Sequence, residues 1–240
     1  MKYFWDTSET IAAGLGFTHF DGVHLTWLGL FVIAIVACTL WFGKMSQRGR
    51  DAFKRTLALS MIVMEALKIL LLVLTDRFRW GYLPFHLCGI NIFLIVAHAW
   101  KPTRLLDNFL YLICIPGALA ALLFPNWTAL PVTNIYHIHS SIVHILLVMY
   151  PAIQALNGKL DLDAKMVPKC LGLLVLMAIP IYGLNLLLGT NFMFLMRADA
   201  GNPLALFEQM WGSHLLGFPV IIAAVVVVMY LPVVARRKKV

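Results

Sequence analysis

Stretches free of Asp, Glu, Lys and Arg divide this chain into membrane-length pieces. They are residues 22–43, 80–100, 108–158, 170–196 and 209–235, and residues 56–75 join them with only Glu65 and Lys68 inside. A bilayer core of about 30 Å is crossed by about 20 apolar residues in a helix. The run 108–158 is too long for one helix. It breaks at Pro125-Asn126 and Pro131, where turn chemistry favours a short loop. The pattern therefore predicts seven spans, at 24–43, 56–74, 82–99, 107–124, 135–156, 168–189 and 213–234. Their apolar runs are continuous and do not alternate, which selects helices over a barrel. The expected fold is all-α, a polytopic integral membrane protein, with residues 1–240 forming one seven-helix bundle.

Composition agrees with the pattern. The 240 residues are 61% hydrophobic and 12% charged, with a mean hydropathy of +0.85. Soluble domains carry roughly twice that charge. The first 21 residues have three acids, Asp6, Glu9 and Asp21, and no long apolar core, so they do not read as a signal peptide. They are expected as a short outer segment, with residues 3–20 forming an interfacial helix whose Phe4, Trp5, Ile11, Leu15 and Phe20 face lipid. The four cysteines fall in or beside spans with no CxxC pair, and so read as packing residues.

The net charge of +8 marks topology rather than a nucleic-acid partner. Lys44, Arg48, Arg50, Lys54 and Arg55 fill one loop, Lys101 and Arg104 another, Lys159, Lys165 and Lys169 a third, and Arg236 to Lys239 the tail. The alternate loops hold only Lys2, Arg77, Arg79 and Arg197. By the positive-inside rule the N-terminus is outside and the C-terminus cytoplasmic, in a multi-pass protein of the cell membrane. The basic tail is suited to anionic lipid.

With depth assigned, seven of the eight histidines fall on the outer side or in the outer half, and only His98 lies near the cytoplasmic end. Ionisable groups within a bilayer point to function by default. In the fifth span His137, Ser141 and His144 share one helical stripe, and His139 points away from it. The stripe serves either helix–helix hydrogen bonding or a site. Glu65 and Lys68, three residues apart, can pair on one face of the second span. A carboxylate there can also orient an imidazole. His86 opens the third span after Pro84, His214 opens the seventh, and Asn185 lies near the outer end of the sixth. A pocket lined by His86, Glu65, His144, Asn185 and His214 is expected.

Several segments in order carry a resemblance. They are Leu83-Pro84-Phe85-His86-Leu87-Cys88, Pro116-Gly117-Ala118 to Leu123-Phe124-Pro125, the His139–His144 segment to Met149-Tyr150-Pro151, Gly183-Leu184-Asn185, and Gly189-Thr190-Asn191-Phe192-Met193-Phe194-Leu195. Together they resemble the YwaF family of bacterial integral membrane proteins. That family is distantly similar to a vertebrate acyltransferase, transmembrane protein 164, which moves polyunsaturated acyl chains between phospholipids. The resemblance implies a Cys and a His as its working pair. The Cys falls at Phe85 here, and the His at His144 or His139. Phe85 has no nucleophilic atom, so Cys88, a Ser or a Thr must replace it, or the chemistry differs.

Three functions fit these residues. The first is a lipid-acyl hydrolase or transferase, with membrane lipid as substrate or ligand and no cofactor. His86, His144, Glu65 and Cys88 are its catalytic candidates. Ser141, His137, His139, Lys68, Asn185, Asn191 and His214 are its pocket candidates, Asn185 as an oxyanion donor and Ser140 as a further nucleophile. The second is a zinc-dependent hydrolase, which needs His86, His144 and His214 to converge, since no HExxH is present. The third is a transporter or small-ligand-binding protein, against which stand the odd span count and the lack of an inverted repeat. P-loop, GxGxxG and haem patterns are absent, as is a G-x-S-x-G elbow.

Overall fold

The structure is a computed structural model, and it describes residues 2–198 and 204–237. Of the basic tail, Lys238 and Lys239 lie outside the described residues. The described residues form helices, turns and loops, with no strand among them. The main helices are α1 (Gly22–Lys44), α2 (Gln47–Leu74), α3 (Leu87–Trp100), α4 (Arg104–Leu123), α5 (Ile135–Leu156), α6 (Val167–Leu188), α7 (Leu204–Trp211) and α8 (Gly217–Arg237).

Side-chain caps set where several of them begin. Asp21 accepts from the His24 N–H, Ser46 from Gly49, Thr103 from Leu106, and Asn134 from both Tyr136 and His137. Each such bond satisfies a donor that the first helical turn leaves open. Gly189, at φ +65°, ends α6 in the left-handed region. In α4 one π-helical turn, Leu110–Cys114, precedes Pro116, whose ring nitrogen has no hydrogen to donate.

Six helical segments are long and apolar enough to cross a membrane: Gly22–Lys44, Gln47–Leu74, Arg104–Leu123, Ile135–Leu156, Ala164–Leu188 and His214–Ala235. The expected span at 82–99 differs. Its helix is only the 14 residues Leu87–Trp100, about 21 Å at 1.5 Å per residue. A short turn at Trp80–Tyr82 and a second turn at Pro84-Phe85 precede it, with Leu83 and His86 extended at ψ 150° and 155°. Pro84 accounts for this, because a proline pushes the residue before it out of the helical region. The chain then doubles back so tightly that a Cβ on Gly89 would sit 2.6 Å from the Pro84 carbonyl oxygen.

α5 is the central helix, touched by α1, α2, α3 and α4. Their shared core includes Phe42, Met61, Ile95, Cys114, Leu147 and Tyr150. A second core joins α4 to α6 and α8 around Phe109, Leu112, Cys170 and Tyr230. The outward faces of α1, α6 and α8 expose Ile33, Leu40, Leu176, Ile179, Val228 and Leu231. Surfaces of that size and composition suit lipid rather than water.

The N-terminal segment is not the expected interfacial helix. It runs as successive turns folded over one end of the bundle. Asn134 donates to the carbonyls of Tyr3 and Asp6, the Ile135 N–H bonds Phe4 O, and Arg77 pairs with Asp6 at 2.9 Å. The Phe17 N–H bonds Thr128 O, and a Cβ on Gly16 would meet that oxygen at 1.8 Å. Ile11 and Phe17 pack with Leu72, Trp127 and Tyr136 instead of facing lipid. Tertiary hydrogen bonds to the 127–134 loop have outcompeted helix formation in this segment.

Candidate functional site

The expected site residues divide between two neighbourhoods at the end of the bundle that carries the N-terminal segment. The first is built on α2, α5 and the 124–134 loop. Glu65 is buried on α2 and bonded to Lys68, one turn along the same face. Its second oxygen lies 3.4 Å from Nε2 of His139. The imidazole beside this carboxylate is thus His139, the residue pointing away from the His137–Ser141–His144 stripe.

His144 stacks on the Trp127 ring, with centroids 5.1 Å apart and planes 22° from parallel. Its Nδ1 lies 2.7 Å from Ser140 O. A carbonyl only accepts, so Nδ1 carries the proton and the neutral ring keeps a lone pair on Nε2. His137 repeats the pattern two turns earlier on the same stripe. Its Nδ1 donates to Leu130 O at 2.9 Å, and the ring packs against Phe17 and Trp27. His137 is fully buried and its Nε2 has no partner. The Trp127 Nε1–H is buried without a hydrogen-bond partner as well, and the His139 Nε2 has only the 3.4 Å approach of Glu65. Buried polar atoms are satisfied in most proteins, and exceptions mark a functional group or a bound molecule. Ser141 is buried on the same helix. Beside Trp27 runs an apolar groove of about 250 Å³, bordered by Gly22, Leu30 and Val132.

The second neighbourhood is the loop after α6. Asn185 accepts from the Phe192 N–H and the Thr190 hydroxyl, both at 2.8 Å, and donates to Phe192 O. Asn191 accepts from the Met196 and Arg197 N–H groups. His86 accepts from the Met193 N–H at 3.3 Å and packs on Phe192 and Phe194. His214 Nε2 donates to Phe194 O at 3.1 Å. These bonds hold Met193 and Phe194 at φ 57° and 55°, a left-handed geometry that side chains rarely adopt. Asn185, Asn191, His86 and His214 therefore share the work of shaping one loop. Cys88 packs against the large apolar core.

His86, His144 and His214 do not converge, and among the described residues no group of three His, Cys, Asp or Glu side chains is placed to hold a metal ion. All four cysteines are free thiols.

A third cluster, at the opposite end, was not among the expected site residues. His98 is buried, with Nδ1 2.8 Å from the Tyr150 hydroxyl and Nε2 2.7 Å from Asp107. The other oxygen of Asp107 accepts from the Asp161 N–H. Asn108, Asp163, Arg104 and Tyr230 extend the network. The readable signal was Asp107 inside a predicted span, nine residues after the one histidine at this end.

A model of the TMEM164 family matches residues 18–230. Neither the curated proteins nor the solved structures contain a match to this chain.

Proposed function

Since the chain belongs to the TMEM164 family, we propose that it is a lipid-acyl transferase or hydrolase working within the membrane. Its polar centre is Glu65, Lys68, His139 and His144. The observation that carries this reading is the Glu65–Lys68 ion pair buried on α2, with His139 3.4 Å from the Glu65 carboxylate. Buried charges are costly within a bilayer and collect at sites of function. The acyl chemistry itself comes from the sequence resemblance, and the YwaF grouping stands with it. The groove beside Trp27 has the apolar lining that a fatty chain needs.

In this mechanism His144 Nε2 is the general base. It removes the proton from a hydroxyl of an acceptor lipid, or from water. That oxygen attacks the ester carbonyl, the carbon–oxygen bond to the donor lipid breaks, and the leaving oxygen takes the proton back from the imidazolium. Glu65, with its charge balanced by Lys68, lies 3.4 Å from His139 and orients that ring. No protein nucleophile is required, which suits Phe85 standing where the resemblance places a cysteine.

The test is an acyl-transfer assay on the purified chain in nanodiscs, with an isotope-labelled phospholipid as donor and a lysolipid as acceptor. Wild type is expected to label the lysolipid or release labelled fatty acid, and His144→Ala to lose at least about 100-fold of that rate. Equal product from both proteins, or none from wild type, would overturn the reading. The proposed orientation, N-terminus outside in a seven-span cell-membrane protein, has its own test. A cysteine at exposed Thr133 should react with an impermeant thiol reagent on intact cells, and one at exposed Lys159 should not.

A further inference from the structure

At the end opposite the histidine-rich site, α2, the α3–α4 turn and the end of α5 enclose a polar pocket of about 220 Å³. Three cations border it, Arg50, Lys54 and Lys159, with the amides of Gln47 and Gln154 between them. His98 and Asp107 form its buried floor. We infer that this pocket binds a phosphate group, as an anionic headgroup-sized ligand.

The positive-inside rule accounts for cations at this end, but not for their convergence on one concavity. Arg50 is held there firmly. Its Nε and Nη2 donate to Phe42 O and Gly43 O at 3.1 and 2.9 Å, and its guanidinium lies over the Phe42 ring. Two of its five donors are used, and the rest of the fork remains for a tetrahedral oxyanion. Lys54 is paired with Asp51, whereas no described carboxylate pairs with Arg50 or Lys159. Asp107 also lines the pocket as a carboxylate, one oxygen bonded to His98 and the other to the Asp161 N–H, and the three cations outnumber it. At about 30 Å³ per water the space equals roughly seven waters, enough for a phosphate and the few atoms attached to it. A phosphate can arrive as a lipid headgroup or as a free ion, and the chemistry of recognition is shared. The inference does not rest on the acyl reading, which concerns the other end of the bundle.

The experiment uses the whole chain in phosphatidylcholine nanodiscs, following thermal unfolding against inorganic phosphate, with chloride at matched ionic strength as reference. A parallel set of discs contains phosphatidic acid. Phosphate is expected to raise Tm above the chloride reference. Lys159→Glu, on an exposed residue, should need about tenfold more phosphate, a loss of about 1.4 kcal/mol by the affinity relation. Lys169→Glu, equally exposed at the same end but outside the pocket, should respond like wild type. If phosphatidic acid raises Tm and abolishes the phosphate response, the ligand is a lipid headgroup. If phosphate acts alike in both discs, it is a soluble phosphate. No phosphate-specific shift in either set, or an equal loss in Lys169→Glu, would overturn the proposal.

Discussion

Two polar clusters, one towards each end of the bundle, are built in opposite ways. At the basic end His98 has both ring nitrogens bonded, Asp107 both oxygens, and Asn108 its amide and its carbonyl. At the other end His137 Nε2 and Trp127 Nε1 are buried without a hydrogen bond, and His139 Nε2 has only Glu65 at 3.4 Å. A closed network in low dielectric rigidifies the structure, whereas an open one keeps binding capacity at a cost in stability. The first end therefore reads as the clamp that fixes α3, α4 and α5 together, and the second as the site that uses the rigidity.

The sharpest way to break this contrast is Asp107→Ala. It strands His98 Nε2 and the Asp161 N–H, and each buried donor left unsatisfied costs about 1–3 kcal/mol. The Tm in mild detergent should fall by about ten degrees or the protein should fail to accumulate. A change of only a degree or two would show that the network is no clamp.

Lys68→Met comes next. It leaves Glu65 on an apolar helix with only His139 nearby, and an uncompensated charge at mid-bilayer costs about 2.5–3.5 kcal/mol on insertion scales. Adding Glu65→Gln to it should recover most of the lost yield, since replacing both members of a buried pair is often neutral. Fluorescence size-exclusion of the three variants reads this directly. A double variant worse than Lys68→Met would mean that the pair does not act as a unit.

His137→Phe should be far milder. The substitution removes an atom that already lacks a partner, and leaves only Leu130 O without its donor, at a cost of about 1–3 kcal/mol. Thermal unfolding should move little while acyl transfer drops. Loss of folding instead would make His137 a structural residue and dissolve the contrast between the ends.

The sequence made the helices legible because lipid imposes a length rule that water does not. Ile135–Leu156 and Val167–Leu188 fall where the apolar runs predict them. The start of α2 was hidden, because its first turns carry Arg48, Arg50, Asp51 and Lys54 and continue the helix beyond the apolar stretch. Pro84 was visible, but the turn it imposes before His86 depends on the close fit of Gly89. Helical periodicity placed His137, Ser141 and His144 on one stripe, yet the carboxylate belongs to His139, because that depends on how α2 lies against α5. The His98–Asp107 contact was unreadable for the same reason. It bridges two helices across the Lys101–Thr103 turn, and no spacing rule within one helix can show it.

The smallest effect expected tests the cap that starts α1. Asp21 accepts hydrogen bonds from the Thr18 and His24 N–H groups, at 2.8 and 2.9 Å. Those bonds from His24 and Thr18 hold its carboxyl below the ordinary value of 3.8. A carboxylate with a lowered folded-state value stabilises the fold above the unfolded value and loses that contribution as pH falls through the folded one. Tm should therefore decline below about pH 4 with a component that Asp21→Asn removes, since asparagine caps without titrating. Asp21 is at the surface, so the component should be small and shrink in high salt. A Tm profile in Asp21→Asn that parallels wild type down to pH 3 would show that the cap does not report on this end of the bundle. The N-terminal turns would then be held by their other ties, Asn134 to Tyr3 and Asp6 and Arg77 to Asp6 among them.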